Sequence, residues 1–225
     1  MEIRNLSICI TIKNRSRNYH DGVLYECFPD YLSNLKSILK NKENVELSVV
    51  DFDSQDLPLL NWLYGFNDSK LTIIYENLSD DFSRGKGLNS AFVNSTYDFV
   101  FFSDVDLVLT REFLLRGIQS LNQPNSCYFP IVTKLKIDKT IESKVIDGYG
   151  NFFMRREDFK SIGGFPEFNS WGGEDTIVFE KCSTTMNVIR DDKTEIIHNW
   201  HPGEFSHRHY KNPPSSDYFK YISAN

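Results

Sequence analysis

The chain has 225 residues, a formal net charge of −6, and 40% hydrophobic and 14% aromatic residues. This composition supports a folded domain with a substantial core and argues against a disordered chain. The acidic balance and the lack of a long basic block argue against broad nucleic-acid binding, so we expect no nucleic-acid partner.

Strand and helix patterns alternate along the first half. The apolar run 99–109 lacks alternation and has the pattern of a strand buried on both faces, and the apolar segments 6–12, 47–52 and 71–75 are predicted as further strands. The segments between and after them have helical spacing: 28–39, 59–63, a segment that begins within 81–89, and 111–121. Asp30 and Thr110 are placed to cap two of these helices. This order predicts an α/β fold with a mostly parallel, doubly wound sheet.

The second half follows a different pattern. Residues 127–132 and 150–155 are predicted to be strands that extend or cross the sheet, and the polar segment 134–149 to be partly mobile. The amino terminus lacks the apolar core of a signal peptide, and no later run is apolar enough to cross a bilayer. The four cysteines form no CxxC pair, which favours reduced thiols and a cytoplasmic protein.

Polar side chains follow the predicted strands at one edge of the sheet. Lys13 and Arg15 follow the first strand and could meet phosphates, although a solvated basic loop is the simpler alternative. Asp51 ends the second strand and could accept from a base N–H or a ribose hydroxyl; the alternative is a turn at Asp53. Phe82, with Arg84 and Lys86 near a helix start, could stack on a heterocycle and bind a pyrophosphate.

Asp104 and Asp106 interrupt the apolar run 99–109. Hard carboxylate ligands beyond a buried strand suit Mg²⁺ or Mn²⁺, and the alternative is a pair of turn-forming aspartates before a helix. His198 and His201 follow a short apolar strand and could complete a metal site, although either could be structural. The tail 207–211 could close over a diphosphate or simply cover the core.

Residues 162–175, IGGFPEFNSWGGED, form the densest candidate site. Trp171 among glycines could stack on a sugar, and Glu174 and Asp175 at a predicted helix start could remove a hydroxyl proton. The alternative is a set of turn glycines, a core tryptophan, and two carboxylates that favour a helix N-terminus.

Taken together, these segments resemble metal-dependent GT-A glycosyltransferases, specifically the animal β-1,4-galactosyltransferases and bacterial family-two enzymes with a similar C-terminal module. The similar segments are the basic loop Lys13-Asn14-Arg15, the uridine-contacting segment 82–86 with Asn89, the Asp104-x-Asp106 motif, the segment 163–166, and the acceptor and catalytic segment 171–175. The resemblance implies one GT-A domain over 1–225, with a nucleotide-sugar half at about 1–110 and an acceptor half at about 111–225.

The resemblance also implies residue roles. Asp106 is the direct metal ligand, with His198 as the late histidine ligand and His201 as its alternative. Asp104 contacts the ribose and approaches the metal, and Asp51 reads the base. The donor-binding set is Lys13, Asn14, Arg15, Asp51, Phe82, Arg84, Lys86 and Asp104. Asp175 is the base, assisted by Glu174, and the acceptor-binding residues are Trp171, Gly172 and Gly173.

The implied activity is inverting, Mn²⁺- or Mg²⁺-dependent transfer of galactose, N-acetylgalactosamine or a related hexose from a UDP-sugar to a glycan. The setting would be bacterial surface polysaccharide or lipooligosaccharide synthesis, with a free or lipid-linked acceptor and peripheral contact with the inner membrane face. A retaining enzyme or a non-catalytic nucleotide-sugar or glycan-binding module are the alternatives. Two features depart from the animal enzymes. Thr176-Ile177 replaces their acidic run, and their membrane anchor is expected to be absent.

Overall fold

A computed structural model describes residues 2–169, 172–193 and 195–201, and only these are discussed below. The strands are β1 (Leu6–Ile12), β2 (Asn18–His20), β3 (Val23–Tyr25), β4 (Val45–Asp51), β5 (Leu71–Asn77), β6 (Phe99–Phe102), β7 (Leu107–Val108), β8 (Ser126–Tyr128), β9 (Val132–Leu135), β10 (Ile141–Val145), β11 (Phe152–Arg155), β12 (Asn187–Ile189) and β13 (Ile197–His198). The helices are α1 (Cys27–Ile38), α2 (Leu59–Tyr64), α3 (Arg84–Asn94), α4 (Arg111–Ser120), α5 (Arg156–Ser161) and α6 (Glu174–Thr185).

The central sheet has seven strands in the order β12-β8-β11-β6-β1-β4-β5. β6, β1, β4 and β5 are parallel, whereas β11 runs antiparallel to β6 and β8. Every residue of β4 is buried, including the polar Glu46, Ser48 and Asp51. In register, Ile12 lies opposite Asp51, so the polar residues after β1 and β4 emerge at the same edge. The predicted α/β fold with a mostly parallel sheet is confirmed.

Helices cover both faces of the sheet, as a doubly wound fold requires. One apolar cluster includes Phe28 of α1 and Phe113 of α4. The other cluster includes Phe92 of α3, Phe159 of α5 and Val178 of α6. No helix in the described ranges is long and apolar enough to cross a membrane.

The segment 99–109 is not one strand, and its prediction as such is wrong. β6 ends at Phe102, and the chain turns through residues 103–106 before β7 joins a second sheet of order β10-β9-β13-β7. Ser103 accepts a hydrogen bond from the Tyr31 hydroxyl (2.9 Å) and donates one to the Asp104 carbonyl (2.9 Å). These local bonds to Ser103 satisfy polar groups where the strand ends.

Two further predictions differ from the structure, and the mobility expected for 134–149 stays a prediction. The predicted strand 127–132 is divided, because β8 ends at Tyr128 and β9 begins at Val132. The segment 134–149, expected to be partly mobile, contains most of the β9–β10 hairpin, and four of the five residues of β10 are exposed. Asp30 does not cap α1, since Glu26 is its N-cap and Asp30 lies in the first turn. By contrast, Thr110 caps α4 by accepting from the Phe113 amide at 3.1 Å, as predicted.

Candidate active site

A cavity of about 470 Å³ lies at the carboxyl-terminal edge of the parallel strands. It brings together most of the predicted site residues: Lys13, Arg15, Phe82, Arg84, Asp104, Asp106, Gly172, Gly173, Glu174, Asp175, His198 and His201. These residues come from both halves of the chain, so the predicted donor and acceptor halves share one cavity. Trp171 and the tail 207–211 lie outside the described residues.

Asp106, His198 and His201 form a cluster that could hold a metal ion, with one ligand atom from each lying within 4.8 Å of the others. Strand pairing creates this cluster, because His198 of β13 lies opposite Leu107 of β7. The Asn199 amide also donates to the Asp106 carbonyl at 2.9 Å. The Nε2 atoms of His201 and His198 lie 3.1 and 3.6 Å from Asp106 Oδ2.

The atoms of this cluster fit a divalent cation. Asp106 Oδ1 and His198 Nδ1 are buried and have no hydrogen-bond partner among the described residues. Burial alone would raise the pKa of Asp106, but His198, His201 and the Arg15 guanidinium lower it far below its usual range. The ionised carboxylate and two imidazoles are a suitable ligand set for Mn²⁺.

Asp104 is not part of this cluster. Its Oδ1 accepts from Arg84 Nη2 (2.9 Å) and its Oδ2 from Asn151 Nδ2 (3.0 Å). Asn151 also accepts from the Asp104 backbone amide at 2.8 Å. This geometry gives no support to Asp104 as a metal ligand, and its ribose contact stays a prediction. Asn151 was not among the predicted site residues. The signal that could have identified it is its position as a polar residue directly before an apolar strand, since other site residues also lie next to strand ends.

Arg84 joins the two sides of the cavity. Besides Asp104, its guanidinium donates to the Gly150 carbonyl (2.7 Å) and to Glu174 Oε1 (3.2 Å). Ser83 starts α3 here by accepting from the Lys86 amide at 3.4 Å. Burial would lower the pKa of Arg84, but the surrounding carboxylates raise it, so Arg84 stays charged. Since these donors already have protein partners, the predicted contact of Arg84 with the nucleotide stays a prediction.

Glu174 and Asp175 begin α6, as predicted, but their environments differ. Gly172 (φ 82°) and Gly173 (φ 99°) make the left-handed turn that precedes the helix. Glu174 is buried, and burial raises its pKa, although Arg84 opposes this effect. Asp175 is partly exposed to the cavity. A Cβ added at Gly150 would lie 3.1 Å from Arg84 Nη2 and 3.3 Å from Asp104 Oδ2, which are tight contacts, and at an ordinary 3.5 Å from Asp175 Oδ2.

Three predicted donor-binding residues do not line the cavity in the described part of the chain. Asp51 is buried and accepts from the Tyr75 hydroxyl (3.0 Å) and the Ser54 amide (3.1 Å). Asn14 joins the loops after β1 and β4, since its Oδ1 accepts from the Gln55 amide at 2.7 Å. Lys86 pairs with Asp80 on the surface. The side chains of Asp51 and Asn14 thus stabilise turns at the sheet edge.

The chain is similar in sequence to known proteins. A family model described as "N-terminal domain of galactosyltransferase" matches residues 132–200. Human chondroitin sulfate N-acetylgalactosaminyltransferase 2 is 25% identical over 206 residues, which cover 78% of this chain and 38% of the relative. The chain therefore spans less than half the length of that relative.

Solved structures show the same fold. The crystal structure of S. aureus TarS 1-349 in complex with UDP-GlcNAc superposes with a TM-score of 0.73 at 15% identity, over 100% of this chain and 65% of that chain. The mannosyltransferase PcManGT from Pyrobaculum calidifontis, in complex with GDP-Man and Mn²⁺, gives a TM-score of 0.64 at 16% identity, over 86% and 56% of the two chains. The chain therefore has the GT-A glycosyltransferase fold and is similar in sequence to galactosyltransferases and chondroitin N-acetylgalactosaminyltransferases.

Proposed function

We propose that the chain is the catalytic region of a metal-dependent glycosyltransferase that moves N-acetylgalactosamine, galactose or a related hexose from UDP to a hydroxyl of a glycan. The observation that carries this proposal is that one cavity is lined both by the cluster of Asp106, His198 and His201 and by the carboxylate of Asp175. The names of the related galactosyl- and N-acetylgalactosaminyltransferases support the sugar class. UDP-GlcNAc in TarS supports a uridine nucleotide as donor.

The cluster would hold Mn²⁺ or Mg²⁺, which would neutralise the charge that develops on the departing diphosphate. Arg15 borders the same part of the cavity and supplies a second positive charge for the diphosphate. With this charge neutralised, the leaving group needs no proton donor from the protein. The remaining requirement is a base for the acceptor hydroxyl.

Asp175 is the base in this proposal. It begins a helix, is partly exposed to the cavity, and could accept the hydroxyl proton on its carboxylate. Glu174 is buried against Arg84, so we assign it the task of holding this turn rather than of taking the proton. Asp175 can serve as this base alone, which fits direct displacement, and we therefore propose inversion at the sugar carbon. The anomeric configuration of the product, measured by NMR, would decide between inversion and retention.

We further propose a cytoplasmic setting, with a free or lipid-linked glycan of the bacterial surface polysaccharide or lipooligosaccharide type as acceptor and peripheral contact with the inner membrane face. Support for the compartment comes from the cysteines, which are all unpaired: Cys9, Cys27, Cys127 and Cys182. Fractionation of the native host would test this part of the proposal, and recovery in a secreted fraction would contradict it.

The activity can be tested without a known acceptor. UDP-GalNAc, UDP-Gal, UDP-GlcNAc and UDP-glucose are each incubated with the protein and Mn²⁺, and released UDP is measured, with GDP-mannose as the control donor. We expect slow hydrolysis of one UDP-sugar, loss of this activity with EDTA, and its return with Mn²⁺. If no UDP-sugar is hydrolysed and calorimetry detects no Mn²⁺-assisted binding of UDP, the proposal is wrong.

A further inference from the structure

We propose that Asn89 is a positioning residue, which holds the catalytic segment 172–175 at the cavity by fixing the loop 163–167 that precedes it. This inference rests on the proposed function, because it concerns the placement of the base Asp175. The family resemblance puts Asn89 in a uridine-contacting segment. In the structure Asn89 does not line the cavity in the described part of the chain, and its amide bonds to the loop 163–167.

Both ends of the Asn89 amide bind this loop. Its Nδ2 donates to the Phe165 carbonyl (2.9 Å) and to Glu167 Oε1 (3.0 Å). Its Oδ1 accepts from the Phe165 backbone amide (3.0 Å). The side chain therefore pairs with Phe165 through a donor and an acceptor at once, as a neighbouring strand would, and this pairing fixes the position of the loop along α3.

Two glycines show how closely α3 and the loop approach each other. A Cβ added at Gly85 would lie 2.1 Å from the Pro166 carbonyl oxygen. A Cβ added at Gly164, whose φ is +75°, would lie 2.9 Å from Asn89 Oδ1. There is no room for a side chain at either contact, so the loop is fitted to this part of α3.

The helix α3 also contacts the catalytic segment 172–175 itself. Arg84 at the start of α3 bonds to Glu174 at the start of α6, and Asn89 bonds to Phe165 in the loop before it. α3 therefore holds this part of the chain at two contacts, which we call the clamp: Arg84 with Glu174, and Asn89 with Phe165. Arg15 and Asp106, on the cation side of the cavity, make no contact with this clamp in the hydrogen bonds and ion pairs described. Loss of the clamp should change turnover while leaving the binding of UDP and Mn²⁺ intact.

The test compares two identical substitutions in one helix, Asn89→Asp and Asn94→Asp. Asn94 is a matched control because its Nδ2 also donates to a carboxylate, Glu76 Oε2 at 2.7 Å, but away from the loop. Three quantities are measured: hydrogen exchange of peptides from 160–180, calorimetric binding of UDP with Mn²⁺, and Mn²⁺-dependent hydrolysis of UDP-GalNAc. Thermal unfolding shows whether each variant is folded.

Asn89→Asp should raise exchange around Phe165 and the start of α6 by about tenfold or more and lower kcat by about tenfold, with UDP affinity unchanged. Asn94→Asp should leave exchange in 160–180 and kcat unchanged. Adding Glu167→Gln to Asn89→Asp supplies a donor to the new carboxylate and should restore part of both losses.

Equal effects of the two substitutions, or native exchange around Phe165 in Asn89→Asp, would overturn the inference. A native protein that hydrolyses no UDP-sugar and shows no Mn²⁺-assisted binding of UDP would contradict the proposed function, whereas the exchange measurement would still decide whether Asn89 holds the segment. The two failures are therefore distinguishable.

Discussion

Arg15 Nη2 lies 2.7 Å from Asp106 Oδ2 in a largely buried ion pair, with 15% and 7% of the two side chains exposed. The guanidinium occupies one carboxylate oxygen and leaves Oδ1 without a partner among the described residues. The Nε2 atoms of His198 and His201 approach the same Oδ2, so this oxygen faces the guanidinium and both imidazoles. The buried pair keeps Asp106 ionised, which a metal ligand requires.

The first prediction separates the two aspartates of the Asp104-x-Asp106 sequence. Asp106→Asn should weaken the binding of Mn²⁺ in the presence of UDP by about 100-fold, since it removes the only carboxylate among the three clustered ligands. Asp104→Asn should retain Mn²⁺ binding, because this carboxylate is bonded to Arg84 and Asn151. Calorimetric titration measures both affinities. Equal losses in the two variants would mean that Asp104 is also a ligand.

The second prediction concerns the base. Asp175→Asn should lower turnover of the UDP-sugar roughly 100- to 10,000-fold, because a general base contributes in this range, while UDP and Mn²⁺ still bind. Steady-state kinetics and calorimetry give the two quantities. Exposed Asp138, which contacts only its own turn, provides the control Asp138→Asn. Substantial turnover by Asp175→Asn would remove Asp175 from this role.

The third prediction concerns stability in acid. Burial would raise the pKa of Glu43, but the Lys40 and Ile3 amides and Arg111 lower it overall. A lowered carboxyl pKa stabilises the fold above the unfolded-state value near 4.5, and this stabilisation is lost as the pH falls through the folded-state pKa. Glu43→Gln should therefore cost about 1 to 3 kcal/mol of unfolding free energy at pH 7.

This cost should shrink as the pH falls below 4.5. Urea unfolding at several pH values measures it. Glu157→Gln changes an exposed pair with Lys160 and should have little effect on stability at any pH. A constant difference between native protein and Glu43→Gln across this pH range would contradict the prediction.

The fourth prediction concerns the contact between α3 and the sheet. A Cβ at Gly87 would lie 2.1 Å from Thr11 Oγ1 and 2.8 Å from a Phe52 ring carbon. Alanine usually stabilises a helix relative to glycine, but this overpacking should outweigh that gain and leave Gly87→Ala less stable by about 1 to 2 kcal/mol. Chemical unfolding measures the difference. Gly65→Ala is the control, because its Cβ would meet only the Trp62 carbonyl oxygen at 3.4 Å; an equally destabilised control would contradict the explanation.

The parallel half of the fold was predictable because its strands are apolar segments that alternate with helical ones, and β1 and β4 are almost wholly buried. β1 and β4 are rich in leucine, isoleucine and valine, and their polar ends mark the edge where the cavity lies. The convergence of Asp106 with His198 was expected from residue chemistry and from the family resemblance. The geometric cause of this convergence, the pairing of β13 with β7, was not expected, because strands of two residues have too little sequence pattern to predict their partners.

The partners of the charged residues could not be predicted. Arg84 has the sequence context of a phosphate ligand, but its position is set by Asp104, Gly150 and Glu174, which come from three distant segments. The family resemblance placed Asn89 in a uridine-contacting segment, but its amide bonds to the loop 163–167. In both cases the local sequence gives the donor groups of the side chain, and only the tertiary fold determines which acceptors come within reach.

A short connection carries the chain from the seven-stranded sheet to the four-stranded sheet, and its length limits the insertions that this region can accept. Only residues 103–106 separate β6 from β7, and hydrogen bonds to β1, β11 and β13 anchor the two strands. We expect a residue inserted into 103–106 to shift Asp104 and Asp106 away from their partners. Chimeras with related enzymes should therefore keep this crossing at native length and exchange instead the turn between β9 and β10, whose lengthening would leave both sheets in register.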